Sequence, residues 1–394
     1  MTNLRRAMIQ RVREFDNRAG RRSGRRRVLV DSRTPVNCVM VAPIVKAMGH
    51  DPRVEFLFTA SEEPRRAREI YSEAPGVQIV HPVRAAAMKF DAYIASDFMW
   101  ARLLRQTCRI QVFHGVAGKY GFDAPTVSMR DWDQLFFINR RRLRNYVKAG
   151  VVDADSRAIR LIGYPKVDCL VDGSLNRETI LRSLGLDPAR PTILYAPTRS
   201  PESSLNKMGE EVVRRLLALD INLIVKLHDR SRDLRQPYSG GVDWVSRLEP
   251  LLPAGRALIA PHSDISPYLV AADVMVTDHS SAGFEFLLRD RPIVRIDCPE
   301  LLKSANVHPD YAELLASVSE TVDTPAGVAE AVTRGLLRPF DRSEERRRVA
   351  EDLFHLPGSA TARATAALYE TLELDAVPGP ATLPVQEETC QPSA

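Results

Sequence analysis

The sequence predicts an α/β protein with two open parallel sheets flanked by helices, and three observations carry this prediction. From Arg27 onward, short apolar runs alternate with helical stretches, as they do in βαβ arrays. The alternation is interrupted at residues 171–176, where Asp, Gly, Ser and Asn indicate a linker. A chain of 394 residues, 44% of them hydrophobic, can bury a large core divided between two domains.

The predicted elements follow in order along the chain. In the first array the predicted strands are 28–30, 54–58, 77–80, 92–95, 110–113 and 135–138, with a further apolar run at 158–162 and helices at 42–48 and 63–72. In the second array the predicted strands are 193–195, 223–226, 257–259, 274–276 and 293–296, and helices at 343–354 and 360–374 close the chain. The resulting division is an N-terminal domain at 28–170, a C-terminal domain at 177–340, terminal helices at 341–375 and a disordered tail at 376–394.

The segment 272–297 has the order strand, polar turn, helix and strand. Residues 277–279 form the turn, and Ser280 or Ser281 is the predicted N-cap of the helix. A helix N-terminus carries roughly half a positive charge and several unpaired N–H groups, so it can bind a diphosphate. Glu285 lies on the same helix face as Ser281, where its carboxylate can accept hydrogen bonds from ribose hydroxyls. The simpler interpretation is an ordinary strand followed by a serine-capped helix.

Three further predicted strands end in polar residues. Their carboxyl ends carry His114 with Lys119, Thr198 with Arg199, and His228 with Arg230. In open parallel sheets ligands bind outside the carboxyl ends of the strands, so two facing sheets place a site in the cleft between them. A histidine there can act as a base or as a donor, because its pKa near 6.5 allows both protonation forms at neutral pH. A lone histidine is more often structural, but one in each half, each close to a Lys or Arg, favours catalysis.

Positive charge is concentrated at the N-terminus. Residues 1–27 contain ten arginines against Glu14 and Asp16, a balance of +8, and because the whole chain is +5 the remaining residues sum to −3. The body is therefore not a nucleic-acid-binding surface on charge grounds. Apolar residues recur at helical spacing within the segment, which predicts a basic amphipathic helix that contacts an anionic membrane. The alternative is a helix packed on the body with a solvated arginine face.

Several other kinds of site lack support in the sequence. The five cysteines lie far apart without a Cys-x-x-Cys pair, which indicates reduced thiols and no zinc knuckle. Asp131 with Asp133 and Asp153 with Asp155 have Asp-x-Asp spacing, but neither pair follows a predicted strand. We therefore predict no metal site and no required cofactor, and leave open whether Mg²⁺ assists. The absence of a Walker loop, a nucleophile elbow and a Gly-x-Gly-x-x-Gly turn argues against ATPase, hydrolase and dehydrogenase functions.

A set of short blocks occurs in a fixed order between residues 110 and 363. The blocks are His114-Gly-Val-Ala-Gly-Lys119, Gly163-Tyr-Pro-Lys-Val-Asp168, Tyr195-Ala-Pro-Thr198, Lys226-Leu-His228, Asp273-Val-Met-Val-Thr-Asp-His-Ser-Ser281, and Gly358 with Arg363. In content and order they resemble the CDP-glycerol glycerophosphotransferase family, which builds teichoic acids and related capsules. The resemblance implies a GT-B architecture, in which two Rossmann-like domains hold the active site in the cleft between them, and peripheral attachment to the inner membrane face through basic segments.

The resemblance also implies roles for individual residues. The family's two essential histidines fall by position on His114, as the base toward the acceptor hydroxyl, and on His228, which with Arg230 would contact the diphosphate. The implied donor phosphate residues are Lys119, Thr198, Arg199, Arg230, Ser280 and Ser281, and the implied ribose and nucleotide residues are Asp278 and Glu285.

Three positions depart from the family pattern. Val116 stands where the family has Thr, His279 where it has Tyr, and Glu285 where it has Asp. These changes touch the phosphate and ribose ends of the donor, so they bear on donor identity and not on the fold.

The expected function is the transfer of a polyol phosphate, such as glycerol phosphate, from a CDP-activated donor to a hydroxyl of a cell-envelope or capsule polymer, with release of CMP. The expected partners are the CDP-polyol, a polymeric or lipid-linked acceptor and, through residues 1–27, an anionic membrane surface on the cytoplasmic side; no nucleic acid is expected. Two alternatives stay open. One is a UDP-sugar enzyme, either a GT-B glycosyltransferase or a UDP-N-acetylglucosamine 2-epimerase, and the other is a non-catalytic nucleotide-binding module.

Overall fold

The chain forms two fully parallel sheets, one in each half. The computed structural model describes residues 8, 11, 15, 24–74, 76–104, 107–119, 125 and 127–377. The first sheet has seven strands in the order β3-β2-β1-β4-β5-β6-β7, and the second has six in the order β10-β9-β8-β11-β12-β13. In both sheets the strand order reverses beside the first strand of the half, and such reversals are where open α/β sheets bind ligands.

The strands are short and mostly buried on both faces, as expected for parallel sheets covered by helices. The first sheet contains β1 (Arg26–Asp31), β2 (Val54–Thr59), β3 (Gln78–Ile79), β4 (Ala92–Ala95), β5 (Cys108–Val112), β6 (Gln134–Phe137) and β7 (Ile159–Leu161). The second contains β8 (Thr192–Tyr195), β9 (Asn222–Val225), β10 (Ala257–Ile259), β11 (Val274–Thr277), β12 (Ile293–Ile296) and β13 (Glu320–Val322).

Helices connect the strands and cover the sheets. They are α1 (Pro35–Met48), α2 (Ala67–Ile70), α3 (Pro82–Ala87), α4 (Arg140–Lys148), α5 (Arg177–Ser183), α6 (Ser204–Leu217), α7 (Gln236–Ser239), α8 (Trp244–Leu248), α9 (Ser266–Ala271), α10 (Ala282–Phe286), α11 (Pro299–Ser304), α12 (Pro309–Ser317), α13 (Pro325–Leu337), α14 (Ser343–Leu353) and α15 (Ala360–Thr371). Short 3₁₀ helices lie at Pro64–Arg66, Val127–Asp131, Pro165–Leu170, Asp229–Arg232, Glu249–Leu251 and Leu287–Arg289.

The predicted alternation of strands and helices is confirmed, with differences at particular elements. Strand β13 was not predicted, because Glu320, Thr321 and Val322 form an edge strand without an apolar run. Helix α1 begins earlier than predicted, at Pro35, where proline suits a first helical turn, and it continues through Pro43.

The last helix returns to the first sheet. On α15, Tyr369 donates a hydrogen bond to Asp51 over 3.1 Å, and Thr371 accepts one from Gln134 over 2.8 Å. Asp168, at the end of the first half, accepts hydrogen bonds from the backbone N–H groups of Gly358, Ala360 and Thr361 at 2.6 to 3.1 Å. The start of α15 is therefore anchored to the segment that leads into the second half.

The basic N-terminal segment falls mostly outside the described residues. Of residues 1–23, Met8, Arg11 and Phe15 are described, and they are helical with exposed side chains. Arg26 and Arg27, which were predicted to be part of this segment, belong to β1. Within the described part of the chain, no helix is long and apolar enough to cross a membrane. Residues 378–394, the larger part of the predicted tail, also lie outside the described residues.

Candidate active site at the facing strand ends

His114 follows β5, at the carboxyl edge of the first sheet. Phe113 packs against Phe137 with ring centroids 5.0 Å apart, which holds the end of the strand in place. Gly115 has a φ of 76°, a conformation that glycine adopts without strain, so the chain turns sharply after the histidine. The His114 ring reaches solvent, yet the surrounding protein removes enough water to lower its pKa, partly opposed by Asp97. His114 is therefore neutral at neutral pH, the form that a general base requires.

Asp97, at the end of β4, is the acidic partner on this side of the cleft. It is buried, forms an ion pair with Arg33, and accepts a hydrogen bond from the backbone N–H of Phe98 over 2.8 Å. Its charge favours the protonated imidazole that forms when His114 takes up a proton. Asp97 was not among the site residues predicted from the sequence, although its position two residues after a predicted strand was a usable signal.

His228 follows β9 in the second sheet. Its Nδ1 accepts a hydrogen bond from the backbone N–H of Arg230 over 3.1 Å, so its Nε2 carries the proton and can donate. Burial, followed by the charges of Arg199, Lys226, Arg230 and Lys119, lowers the pKa of His228 to about 3. A neutral imidazole that donates through Nε2 suits a hydrogen bond to a phosphate oxygen.

Four cations from both halves surround this imidazole. Lys119 comes from the first half and is close enough to lower the pKa of His228, so the two halves meet here. Burial lowers the pKa of Lys119 to about 8, against the attraction of Asp278. Arg199 and Arg230 lie over the Tyr238 ring at 5.5 and 5.1 Å from its centroid. Among the described residues none of these four cations forms an ion pair with a carboxylate, so the cluster can bind an anion.

Asp278 occupies the turn after β11 and organises the neighbouring loop. It is fully buried, and its oxygens accept hydrogen bonds from the backbone N–H groups of Thr198, Ser204 and His279 at 2.6 to 3.1 Å, and from the Ser204 hydroxyl at 3.0 Å. The predicted direct contact with a nucleotide does not fit this geometry, because both oxygens are occupied inside the protein. Asp278 instead holds the ends of β8 and β11 together, and with them Thr198.

The serine turn before α10 differs from the predicted cap. Ser281 holds the N-cap position but has helical backbone angles and accepts no capping hydrogen bond. The Ser280 hydroxyl accepts one from the backbone N–H of Ala282 over 3.4 Å. Helix α10 has only five residues and continues into a 3₁₀ turn, so its dipole is that of a single short turn. Both serines are partly exposed and lie between buried His279 and buried α10.

Glu285 has a protein partner that the sequence did not predict. Its Oε2 lies 2.5 Å from the Nζ of Lys166, and both side chains are buried, at 6% exposure each. Burial by itself would lower the pKa of Lys166, but the negative charge of Glu285 outweighs it and raises the pKa. If Glu285 also binds a ribose, as the sequence predicted, the ribose hydroxyls would have to share its carboxylate with Lys166. Lys166 lies in the Gly163–Asp168 block, but no role was predicted for it from the sequence.

Metal ligands do not cluster in the described part of the chain, where no three His, Cys, Asp or Glu side chains come together in a way that could hold an ion. Asp133, from one of the two Asp-x-Asp pairs, instead accepts a hydrogen bond from the backbone N–H of Arg109 over 2.8 Å.

Two parallel α/β sheets, whose strand ends supply the residues of one cleft, place this chain in the GT-B-like class. The model of the CDP-glycerol:poly(glycerophosphate) glycerophosphotransferase family matches residues 44–356, and the chain belongs to that family of transferases. The match covers most of both sheets.

Individual relatives are more distant. The teichoic acid poly(glycerol phosphate) polymerase of Staphylococcus epidermidis is 27% identical over 175 residues, which is 41% of this chain and 22% of that protein. The chain thus spans about a fifth of the length of that relative. The wall teichoic acid polymerase TagF is similar in structure, with a TM-score of 0.66 and 16% identity over 89% of each chain. The UDP-GlcNAc 2-epimerase of Methanocaldococcus jannaschii has a TM-score of 0.51 and 14% identity, covering 88% of this chain and 99% of that one. At these identities the structural similarity establishes the fold.

Proposed function

We propose that this protein transfers glycerol phosphate from CDP-glycerol to a hydroxyl of a polymeric acceptor and releases CMP. The observation that carries the proposal is the anion site at the meeting of the two halves. There His228, Lys119, Arg199 and Arg230 converge, and among the described residues none of the three cations forms an ion pair with a carboxylate. A diphosphate supplies the charge that this cluster lacks. Membership of the glycerophosphotransferase family supports the same donor.

The proposed step is an in-line displacement at the β-phosphorus of CDP-glycerol. The acceptor oxygen forms a new bond to this phosphorus, and the bond from the phosphorus to the oxygen bridging to the α-phosphate breaks. CMP leaves with that bridging oxygen, and the acceptor becomes a phosphodiester. Such a reaction depends on positioning and on neutralisation of charge more than on covalent help from the protein.

His114 is the proposed base. Its lowered pKa keeps the imidazole neutral, and Asp97 stabilises the imidazolium after the acceptor hydroxyl loses its proton. His228 is proposed to contact the α-phosphate of the leaving CMP, where its Nε2–H can donate while Lys119, Arg199 and Arg230 supply positive charge. The two histidines therefore have different tasks because their surroundings differ, one beside a carboxylate and one among cations.

The remaining predicted residues have supporting tasks in this proposal. Ser280 and Ser281 bind donor phosphate oxygens through their hydroxyl and backbone N–H groups. The Thr198 hydroxyl is buried after β8 and has no hydrogen-bond partner among the residues that the structure describes, so it can donate to the same phosphates. Asp278 acts indirectly, by holding this loop in place.

The UDP-sugar alternative has the same fold, since a UDP-N-acetylglucosamine 2-epimerase is among the similar structures. Donor binding separates the candidates without knowledge of the acceptor. Calorimetric titration with CDP-glycerol, CDP-ribitol, UDP-N-acetylglucosamine and ADP-ribose should give selective binding of a CDP-polyol. A preference for the UDP-sugar would move the chain to the alternative enzyme class. Binding of CDP-glycerol without CMP release in the presence of a glycerol phosphate oligomer would indicate a non-catalytic module.

The reaction is proposed to take place at a membrane surface. We infer that the basic N-terminal segment holds the protein on the anionic inner face of the cell membrane, within reach of a lipid-linked polymer. The side chains of Met8 and Phe15, at 63% and 75% exposure, are available for insertion between lipids.

A further inference from the structure

Tyr238 lies in the wall of a cleft of about 600 Å³ between the two halves, and Arg230 lines the same cleft. The tyrosine side chain is partly exposed. Three guanidinium groups surround its ring, those of Arg235, Arg230 and Arg199, at 4.8, 5.1 and 5.5 Å from the ring centroid. At each of these distances the negative face of an aromatic ring attracts a cation.

The three guanidinium groups differ in the charge that they offer to a ligand. Arg235 is neutralised by Asp233, whose oxygens accept its hydrogen bonds at 2.6 to 3.0 Å. Arg199 follows β8 and Arg230 follows β9, and neither forms an ion pair with a carboxylate among the described residues. The Tyr238 ring is thus the contact that these two charged arginines share.

Arg199 and Arg230 repel each other. Burial lowers the pKa of the Arg230 guanidinium, and the charge of Arg199 lowers it further. A repulsion between like charges in a partly buried place favours conformations that move the two groups apart. A carboxylate between them would hold them together but would cancel the positive charge that binds an anion. An aromatic ring attracts both groups and leaves both charges in place.

The backbone beneath the ring is firmly held. Tyr238 lies on the short helix α7, and the neighbouring Ser239 is buried. The Nδ2 of Asn206, on α6, donates a hydrogen bond to the Ser239 carbonyl over 2.8 Å, and its Oδ1 accepts one from the Trp244 indole over 3.0 Å. These contacts fix α7 to α6, so the ring is a fixed surface for two flexible arginine side chains.

We infer that Tyr238 is a positioning residue whose ring holds Arg199 and Arg230 side by side before the diphosphate binds. The inference rests on the proposed function, which places the donor diphosphate at these two guanidinium groups. A free arginine side chain loses conformational freedom when it binds a phosphate, and this loss weakens binding. The ring removes part of that freedom in the unliganded protein, and the tyrosine hydroxyl has no part in this role.

Binding of inorganic pyrophosphate tests the inference without turnover and without a nucleotide. Tyr238→Leu keeps an apolar side chain but removes the ring, and we expect it to raise the Kd of pyrophosphate about five- to tenfold. Tyr238→Phe keeps the ring and should bind within about a factor of two of the wild type. Phe340→Leu removes an exposed ring between α13 and α14 and should bind pyrophosphate like the wild type. Low ionic strength suits these titrations, because it screens charges least.

Fluorinated phenylalanines at position 238 separate attraction by the ring face from packing. Phenylalanines with one, two and three ring fluorines have nearly the same shape, but the face of the ring becomes less negative with each fluorine. We expect the Kd of pyrophosphate to rise with each fluorine while the thermal unfolding temperature stays constant. A Kd that is constant across the series would show that the ring acts by shape alone and would overturn the inference, as would an unchanged Kd in Tyr238→Leu.

The positioning role and the proposed reaction fail in different ways. A wild-type protein that does not bind pyrophosphate overturns the positioning role, because the two arginines then form no anion site. CMP release from CDP-glycerol by the wild type is measured separately. If pyrophosphate binding follows the fluorine series but no CMP is released, the proposed reaction is overturned and the role of Tyr238 is supported.

Discussion

Lys166 and Glu285 form a buried ion pair between the two halves of the chain, with Nζ and Oε2 2.5 Å apart. Lys166 lies on the 3₁₀ turn after the first sheet, and Glu285 lies on α10, directly after the serine turn of the second. The Tyr164 hydroxyl, two residues before Lys166, accepts a hydrogen bond from the backbone N–H of Gly115 over 3.4 Å. The pair therefore connects the turn that carries His114 with the turn proposed to bind the donor phosphates.

Removing one member of this ion pair should destabilise the folded protein. Glu285→Gln leaves the buried Lys166 charge without its partner, and we expect the free energy of unfolding to fall by about 3–5 kcal/mol in urea titrations. As a control, Arg182→Gln breaks an exposed ion pair with Glu178 on α5. This variant should change the free energy of unfolding by no more than about 1 kcal/mol. The double variant Lys166→Met with Glu285→Leu should recover much of the stability. A Glu285→Gln variant as stable as the wild type would contradict this account of the pair.

His114→Ala should remove most of the catalytic rate while the donor still binds. A general base contributes about 10² to 10⁴ in rate, so kcat should fall by at least about a hundredfold, with the Kd of CDP-glycerol within a factor of a few. Steady-state CMP release and calorimetry measure the two quantities. His50→Ala, at an exposed position outside the cleft, is the matched control. A near-normal rate in His114→Ala would remove it as the base.

The dependence of kcat/KM on pH should reflect the protonation of Lys119 on its alkaline side. Burial lowers the pKa of this ammonium to about 8, so its positive charge is lost as the pH rises through 8. We therefore expect kcat/KM for CDP-glycerol, which reflects the free enzyme, to decline above about pH 8. Arg stays charged over this range, so Lys119→Arg should move the decline to higher pH. An unchanged alkaline limb in that variant would assign the decline to another group.

Acid should destabilise the protein through its buried neutral histidines. Burial, followed by nearby cations, lowers the pKa of His228 to about 3, and burial, partly opposed by Asp278, lowers that of His279 to about 4. Both histidines titrate near 6.5 when unfolded. At a pH between 6.5 and the pKa values of the folded protein, the unfolded chain binds protons that the native protein does not. Stability is therefore lost as the pH falls through this range. Each histidine accounts for roughly 2 kcal/mol at pH 5.

Urea unfolding at pH 7 and pH 5 measures this loss in a range where most carboxylates stay ionised. His279→Gln is uncharged at both pH values and should show a smaller difference between them than the wild type. Equal differences in the two proteins would mean that His279 is protonated in the native state.

The N-terminal segment should carry membrane binding. Because β1 begins at Arg26, a deletion of residues 2–22 removes most of the arginines and leaves the strand intact. We expect this variant to be released from vesicles that contain anionic lipid, with unchanged thermal unfolding of the body. Neutral vesicles are the control, since they should bind neither protein strongly. Persistent binding of the truncated protein to anionic vesicles would assign the contact to the folded body.

The sequence by itself determined the order of strands and helices and the residues at the strand ends. Short apolar runs and turn residues are local signals, and parallel strands place their carboxyl ends at one edge of a sheet. His114, Thr198 and His228 could therefore be located at strand ends from the order of residues alone. The same signals located the serine turn after β11.

The tertiary structure decided which of these polar residues face a ligand and which face the protein. Asp278 is turned inward onto backbone N–H groups, Glu285 is paired with Lys166, and α15 returns to the first sheet at Asp51. Each of these contacts joins residues far apart in the chain. A carboxylate in a polar turn has the same local sequence signal whether it meets a ribose, a lysine or a backbone amide, and only the packing of the two halves selects its partner.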